Sequence, residues 1–239
     1  MSGRGVLVIG TDTDVGKTVL SAALVLGLRD AGIPAGYLKP LASECAPTPD
    51  GPVSPDVALV HGLAGLPEAP ASLNPVCLDA PLAPLAAARL QGVDLDLATP
   101  LAACGEFLAT HDYSVIEGVG GLLVPIAPGI TFLELSQALA LPVLVAARPG
   151  LGTINHTLLT IQALRSRGLK VCGFAFSAGS PLPEDDPSLA SNHEMIVEFS
   201  GAPFLGALPY LGPQEELTTE ALTRAALDNL DLTLLPSPA

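Results

Sequence analysis

The apolar run Val6-Leu-Val-Ile9 leads directly into Gly10-Thr-Asp-Thr-Asp-Val-Gly16-Lys17-Thr18, which opens onto the alanine-rich stretch Val19–Leu28. The order strand, glycine-bearing turn, helix start is the context in which a phosphate-binding loop works. Backbone N–H groups at the helix N-terminus point at the anion, and the helix dipole adds favourable potential there. Lys17 would neutralise the β- and γ-phosphates, and the Thr18 hydroxyl would reach a Mg2+ ion. Only three lysines occur, Lys17, Lys39 and Lys170, so a lysine at this place is not generic surface charge. Five residues rather than four separate Gly10 from Gly16, so the loop departs from the strict eight-residue spacing.

Beyond the loop, short apolar runs alternate with helical patterns, which implies parallel strands joined by crossover helices. Strands are expected at Gly5–Ile9, Ala35–Leu38, Tyr113–Glu117, Pro142–Ala146, Lys170–Phe176 and Phe204–Ala207, with a further short extended piece at Asn74–Leu78. Helices are expected at Lys17–Ala31, Pro55–Ala64, Leu95–Thr110, Thr131–Leu139, Thr153–Arg167, Pro187–Phe199 and Glu215–Leu227. Gly32 and Gly168 follow two of them, where a left-handed C-cap is useful. The Pro/Ser-rich stretch Ala46–Pro55 reads as a mobile loop, and Ala178–Pro187 as a second one with an acidic, solvated centre at Glu184-Asp-Asp186. The expectation is one doubly wound α/β domain over residues 1–239: a mostly parallel sheet of about seven strands flanked by helices, of P-loop NTPase type.

The net charge of −14, from 24 acidic and 10 basic residues, argues against a nucleic-acid partner and against an anionic membrane surface. The run Ala138–Ala147 is too short to span a bilayer and contains Pro142. Cys45, Cys77, Cys104 and Cys172 form no C-x-x-C pair and have no histidine at metal-ligand spacing. Structural thiols in a reducing cytoplasm are therefore expected. The N-terminus reads directly into the first strand without a signal-peptide pattern, which agrees with a cytoplasmic location.

Ligands of doubly wound sheets gather at the carboxyl ends of the strands, and three features converge there: the phosphate loop, Lys39 and Glu117-Gly118-Val119-Gly120-Gly121. Lys39 leaves the second strand before Pro40, either turned into water or beside transferring phosphate oxygens. Glu117 ends a buried strand, either capping its own turn or anchoring Mg2+. Asp56 alone reads as a helix-start residue. Leu151-Gly152-Thr153-Ile154-Asn155-His156 precedes a helix and offers N–H groups to a carboxylate, while His156 reads as a packed or surface histidine. No Ser/His/Asp grouping suggests a hydrolase nucleophile.

Four segments, Gly-Thr-Asp-Thr-Asp-Val-Gly-Lys-Thr, Tyr-Leu-Lys-Pro-Leu-Ala-Ser, Glu-Gly-Val-Gly-Gly and Leu-Gly-Thr-Ile-Asn-His-Thr, occur in the order and approximate spacing of the dethiobiotin synthetases. From Val6 to about Leu211 the chain resembles that family. The resemblance implies an ATP- and Mg2+-dependent cyclo-ligase of biotin biosynthesis that converts 7,8-diaminononanoate (7,8-diaminopelargonate) and CO2 to dethiobiotin, releasing ADP and phosphate through a carbamate and a mixed carbamic–phosphoric anhydride. It implies that Asp14, Val15, Gly16, Lys17, Thr18 and Val19 wrap the phosphates, and that Thr18, Asp56 and Glu117 hold magnesium. Lys39 would stabilise the carbamate and the γ-phosphoryl group. Thr13 and Ser43 would contact the diamine or its carbamate, the Gly118–Val119 backbone would help hold it, and Asp56, Glu117, Gly118, Val119 and Gly120 would also border the nucleotide. Asn155 would meet the substrate carboxylate across a homodimer interface, and Leu208-Pro209-Tyr210 would border the base. Two departures stand out. Ser177 occupies the place where some members carry a base-reading Asn, and the loop after it lacks a clear match to the family's second carboxylate-binding element.

A competing reading is a partitioning or site-selection ATPase, a dimerising switch whose signature lysine lies five residues before the P-loop lysine. That place holds Asp12, of opposite charge. A cobyrinate-type amidotransferase synthetase would require an additional glutaminase domain.

Overall fold

The computed structural model describes residues 4–183 and 185–237, so Glu184 of the expected acidic centre lies outside the described residues. In chain order the elements are β1 (Gly5–Gly10), α1 (Lys17–Asp30), β2 (Ala35–Leu38), β3 (Leu41–Ala42), β4 (Ala46–Thr48), β5 (Gly51–Val53), α2 (Pro55–Ala64), β6 (Val76–Cys77), α3 (Pro84–Gln91) and α4 (Ala98–Thr110). They continue with β7 (Tyr113–Gly121), β8 (Pro125–Ala127), β9 (Ile130–Thr131), α5 (Phe132–Leu139), β10 (Val143–Ala147), α6 (Thr153–Ser166), β11 (Val171–Ser177), α7 (Ser188–Ser200), β12 (Phe204–Leu208) and α8 (Thr219–Asn229).

Six strands form the central sheet in the order β12-β11-β10-β1-β7-β2, every pair parallel. All residues of β1 and β10 are buried, as continuous apolar runs covered on both faces should be. Helix α1 is buried from Leu20 to Leu28 because α2 and α8 pack on it as well as the sheet. A helix apolar on all sides has no other stable place in a globular fold. The sheet's order reverses at β1, so the loop after β1 lies at the topological switch point, where an open α/β sheet leaves a crevice.

Among the described residues the sheet has six strands, not about seven. The extended piece near Asn74–Leu78 shortens to β6, which pairs in parallel with β3 as a separate two-stranded sheet. Within Ala46–Pro55, the expected mobile loop, β4 and β5 form an antiparallel hairpin whose turn is closed by Thr48 Oγ1 donating to the Gly51 carbonyl at 2.6 Å. Helix α3 was not anticipated; with eight residues it is too short to generate a clear helical period. The expected start of α4 at Leu95 moves to Ala98 because the Asp96 carboxylate accepts from the Thr99 N–H at 2.9 Å and fixes a turn there. Gly32 and Gly168 adopt φ of 81° and 75°, the left-handed caps anticipated for them.

Cys45 and Cys77 are joined in a disulfide with Cα atoms 5.8 Å apart, which corrects the expectation of four free thiols. Parallel pairing of β3 with β6 brings the two residues together, a proximity that a separation of 32 residues hides in the sequence. Cys104 and Cys172 are free and buried, and burial pushes both thiols up to about 12.

Candidate active site

The turn after β1 is built from left-handed residues. Asp14 has φ 56° and Gly16 φ 79°. A Cβ on Gly16 would collide with the Ser177 side chain, so glycine is required both by conformation and by space. Lys17 begins α1 and curls back over the loop, donating from Nζ to the Asp12 carbonyl at 2.9 Å. Burial pushes its pKa down, the charge of Lys39 pushes the same way, and Glu117, Asp56 and Asp14 oppose them.

Lys39 follows β2, its N–H donating to the Leu73 carbonyl at 2.9 Å. Its ammonium lies 2.7 Å from Glu117 Oε1 and 2.9 Å from Asp56 Oδ2, and reaches the Gly118 carbonyl at 3.3 Å. Thr18 Oγ1 lies 2.7 Å from Asp56 Oδ1 and 3.0 Å from Glu117 Oε1. That hydroxyl has one hydrogen for two carboxylate oxygens. Tyr37 donates its hydroxyl to Glu117 Oε2 at 2.9 Å. Glu117 has no exposed surface, and a buried carboxylate is tolerable only when donors surround it. Here Lys39 and Tyr37 do so, and Thr18 shares its one hydrogen between Glu117 and Asp56.

Burial alone would lower the pKa of Lys39, but Glu117 and Asp56 more than reverse this and hold the ammonium well above the usual lysine range. Burial would likewise raise Asp56; Lys39, the Thr18 hydroxyl and Lys17 outweigh it and hold the carboxyl below its ordinary value. Tyr37 is pushed well above the ordinary phenol range by burial and by the charge of Glu117.

Local structure explains these placements. Glu117 faces Val8 across the β1–β7 ladder, and β7 continues to Gly121. It is therefore an interior strand residue, not the strand end expected for it. Asp56 sits in the first turn of α2, which Ser54 caps by accepting from the Val57 N–H and Pro55 enters. The cap aims Asp56 across the crevice at Thr18 and Lys39.

Thr18, Asp56 and Glu117 thus present hard oxygen donors together, and among the described residues no group of three His, Cys, Asp or Glu is gathered anywhere. Two carboxylates and a hydroxyl suit an ion of the Mg2+ type, which keeps water and phosphate oxygens for its remaining positions.

A cavity of about 560 Å3 covers this cluster. Thr13, Asp14, Gly16, Lys17, Thr18, Val19, Lys39, Ser43, Asp56, Glu117, Val119, Gly120, Pro209 and Tyr210, all singled out from sequence, line it. Val15, Ser177 and Leu208 are buried behind its wall, and Gly118 turns its α-carbon toward Phe132. Asn155 is exposed on the first turn of α6 and is not part of the lining. Ser43 contributes a buried hydroxyl with no hydrogen-bond partner among the described residues.

The sequence reading missed Glu44, the Pro81–Pro84 segment before α3, and the hydroxyl of Tyr37 as an anchor for Glu117. Glu44 gave no signal, since its φ of 61° becomes visible only once the chain is folded. Tyr37 could have been noticed as a polar-tipped aromatic in an otherwise apolar strand, because a buried phenol needs a partner.

A family model described as an AAA domain matches residues 4–218. Among curated relatives, an ATP-dependent dethiobiotin synthetase of Anaeromyxobacter dehalogenans is 44% identical over 207 residues, 87% of this chain and 90% of that protein. One from Bacillus subtilis is 35% identical over 233 residues, 97% of each. Two solved structures share the fold at low identity. Chloroplast FtsY from Physcomitrella patens has a TM-score of 0.53 at 13% identity, covering 95% of this chain and 65% of that one. A nucleotide-binding protein in complex with ADP from Archaeoglobus fulgidus has a TM-score of 0.50 at 12% identity, covering 98% and 92%. With identities above 30% along nearly its whole length, the chain belongs to the family of ATP-dependent dethiobiotin synthetases.

Proposed function

We propose that the cavity closes the ureido ring of dethiobiotin from 7,8-diaminononanoate, CO2 and ATP. The single observation that carries this reading is the Lys39 ammonium held between Glu117 and Asp56 beside the phosphate loop. One amine takes up CO2 to give a carbamate and a proton. A carbamate oxygen then attacks the γ-phosphorus as ADP leaves. The second amine attacks the carbonyl of the resulting anhydride, phosphate departs and the ring closes.

Lys39 supplies a fixed positive charge where carbamate and phosphoryl oxygens accumulate negative charge, and it needs no reorganisation during the step. Lys17 and the backbone N–H groups of the turn hold the β- and γ-phosphates. Thr18, Asp56 and Glu117 would hold Mg2+, which would neutralise charge developing on the phosphates. Thr13, Ser43 and the Val119 backbone position the diamine. Ala178, Gly179, Pro209 and Tyr210 enclose the nucleotide base. The protein's contribution is mostly orientation and electrostatics.

We read the working unit as a homodimer, because Asn155 and the Leu151–Ile154 turn lie away from the cavity of their own chain and suit the substrate carboxylate of a partner. A cytoplasmic location is part of this reading, since ATP is consumed. Among the described residues no helix is long and apolar enough to cross a membrane. ATP turnover that depends on both the diamine and bicarbonate would support the synthetase. Turnover indifferent to both would favour a switch ATPase.

A further inference from the structure

We propose that the Cys45–Cys77 disulfide is a thiol-responsive clamp on the diamine side of the cavity, governing substrate affinity while leaving nucleotide binding alone. The naming of the substrate rests on the function proposed above. The clamp itself rests on geometry.

The disulfide ties Cys77, the last residue of β6, to Cys45, three residues beyond β3, and the two strands pair over only two residues each, Leu41–Ala42 with Val76–Cys77. Around it the Cys45 N–H donates to the Leu78 carbonyl at 2.9 Å, the Leu78 N–H to the Ala42 carbonyl at 2.9 Å, and the Glu44 N–H to the Ala80 carbonyl at 3.4 Å. So short a pairing supplies little stability of its own, and past the buried Leu41 and Ala42 the chain comes out to the half-buried Ser43 and the exposed Glu44. Both strands run directly into the cavity wall: Ser43 and Glu44 immediately precede Cys45, and Pro81–Pro84 follow shortly after Cys77. Glu44 is held at φ 61°, a conformation that an L side chain keeps only when its surroundings fix it. The phosphate loop, by contrast, hangs from the central sheet between β10 and β7.

The two cysteines differ in exposure. Cys45 is buried, whereas Cys77 is half-buried and lines a separate cleft of about 250 Å3 with Leu78, Asp94 and Asp96. A reductant can therefore reach Cys77 without entering the active site. The other two cysteines are buried as free thiols. In a reducing compartment, a disulfide that forms is usually transient and catalytic or redox-sensing. A thiolate of an external dithiol attacks Cys77 Sγ, and Cys45 leaves as a thiolate and takes a proton. The reductant's second thiol then closes its own disulfide and releases Cys77. Two electrons and two protons pass from the dithiol to the protein. The disulfide form of the same class of reagent reverses the step.

The test compares the oxidised protein with the same protein treated with dithiothreitol, after counting free thiols in denaturant. Amide hydrogen exchange should quicken over residues 41–48 and 78–84 on reduction and stay unchanged over residues 11–18. The KM for the diamine should rise at least about fivefold, the low end of coupling between sites, with the KM for ATP constant. The double variant Cys45→Ser/Cys77→Ser should match the reduced protein and ignore the dithiol. Identical exchange before and after reduction, or four free thiols in the untreated protein, would overturn the clamp. Quickened exchange in a protein that makes no dethiobiotin in either state would support the clamp while overturning the functional reading.

Discussion

Replacing Lys39 with methionine keeps much of the side chain's bulk and removes the charge between Glu117 and Asp56. Loss of one preorganised group that stabilises transition-state charge lowers turnover by about 100-fold or more, roughly 2.7 kcal/mol. Folding is affected separately. Stripping one partner from a buried ion pair costs about 3–5 kcal/mol. Tyr37 still donates to Glu117 at 2.9 Å, and the Thr18 hydroxyl it shares with Asp56 lies 3.0 Å away, so a loss near the lower figure, about 3 kcal/mol, is expected. For a chain of this size that corresponds to a Tm lower by about 6–12 °C. The acid response also changes. In the parent, Asp56 titrates below its ordinary 3.8, chiefly because Lys39 overcomes the effect of burial. Its contribution to stability is present above that value and fades as pH falls through the folded-state pKa. Without Lys39 the charge that most lowers Asp56 is gone, so its pKa rises, with the Thr18 hydroxyl and Lys17 still opposing burial. The assays are steady-state dethiobiotin formation, ATP binding by calorimetry, and thermal melts across acid pH. ATP binding should survive, because Lys17 and the phosphate loop are untouched. Near-normal turnover in Lys39→Met would refute the assignment.

Three other expectations are open to direct measurement. Glu117→Gln keeps shape but removes a hard anionic ligand, so activity should fall and require more Mg2+; an unchanged Mg2+ titration would leave Glu117 with a structural role only. Mixing inactive Asn155→Ala and Lys39→Met chains should restore part of the activity through hybrid dimers with one intact site, and no recovery despite demonstrated mixing would contradict a shared site. Ser177 packs against Gly16 behind the wall, and Ala178 and Gly179 face the cavity instead, so no side chain there presents a paired donor and acceptor to the base. CTP and GTP should therefore support turnover within about tenfold of ATP, roughly 1.4 kcal/mol in kcat/KM, and a thousandfold preference for ATP would show that backbone groups read the base.

What could be read from the chain depended on how local its signal was. The β1–loop–α1 unit is legible because strand, glycine turn and helix start adjoin in sequence. The buried strands β1, β10 and β11 announce themselves as apolar runs. Lys39 and Glu117 could be placed at the right edge of the sheet because each lies in or just after a strand. That they share one ammonium with Asp56, 61 residues before Glu117, follows from the β1–β7–β2 order and the cap on α2, neither of which has a local signature. The disulfide was hidden for the same reason, since it depends on a two-residue parallel pairing. The β4–β5 hairpin carries Pro47 and Pro52 within its strands and so reads as a loop. Proline is tolerated there because each lies on an edge strand.

Supplying isotopically labelled bicarbonate with 7,8-diaminononanoate, ATP and Mg2+ tests the central claim most directly. Mass spectrometry of the product should find the label in the ureido carbonyl of dethiobiotin, with one ADP and one phosphate formed for each ring closed. ADP released at the same rate without the diamine, or no labelled dethiobiotin despite ATP turnover, would contradict the assignment of this cavity to ring closure.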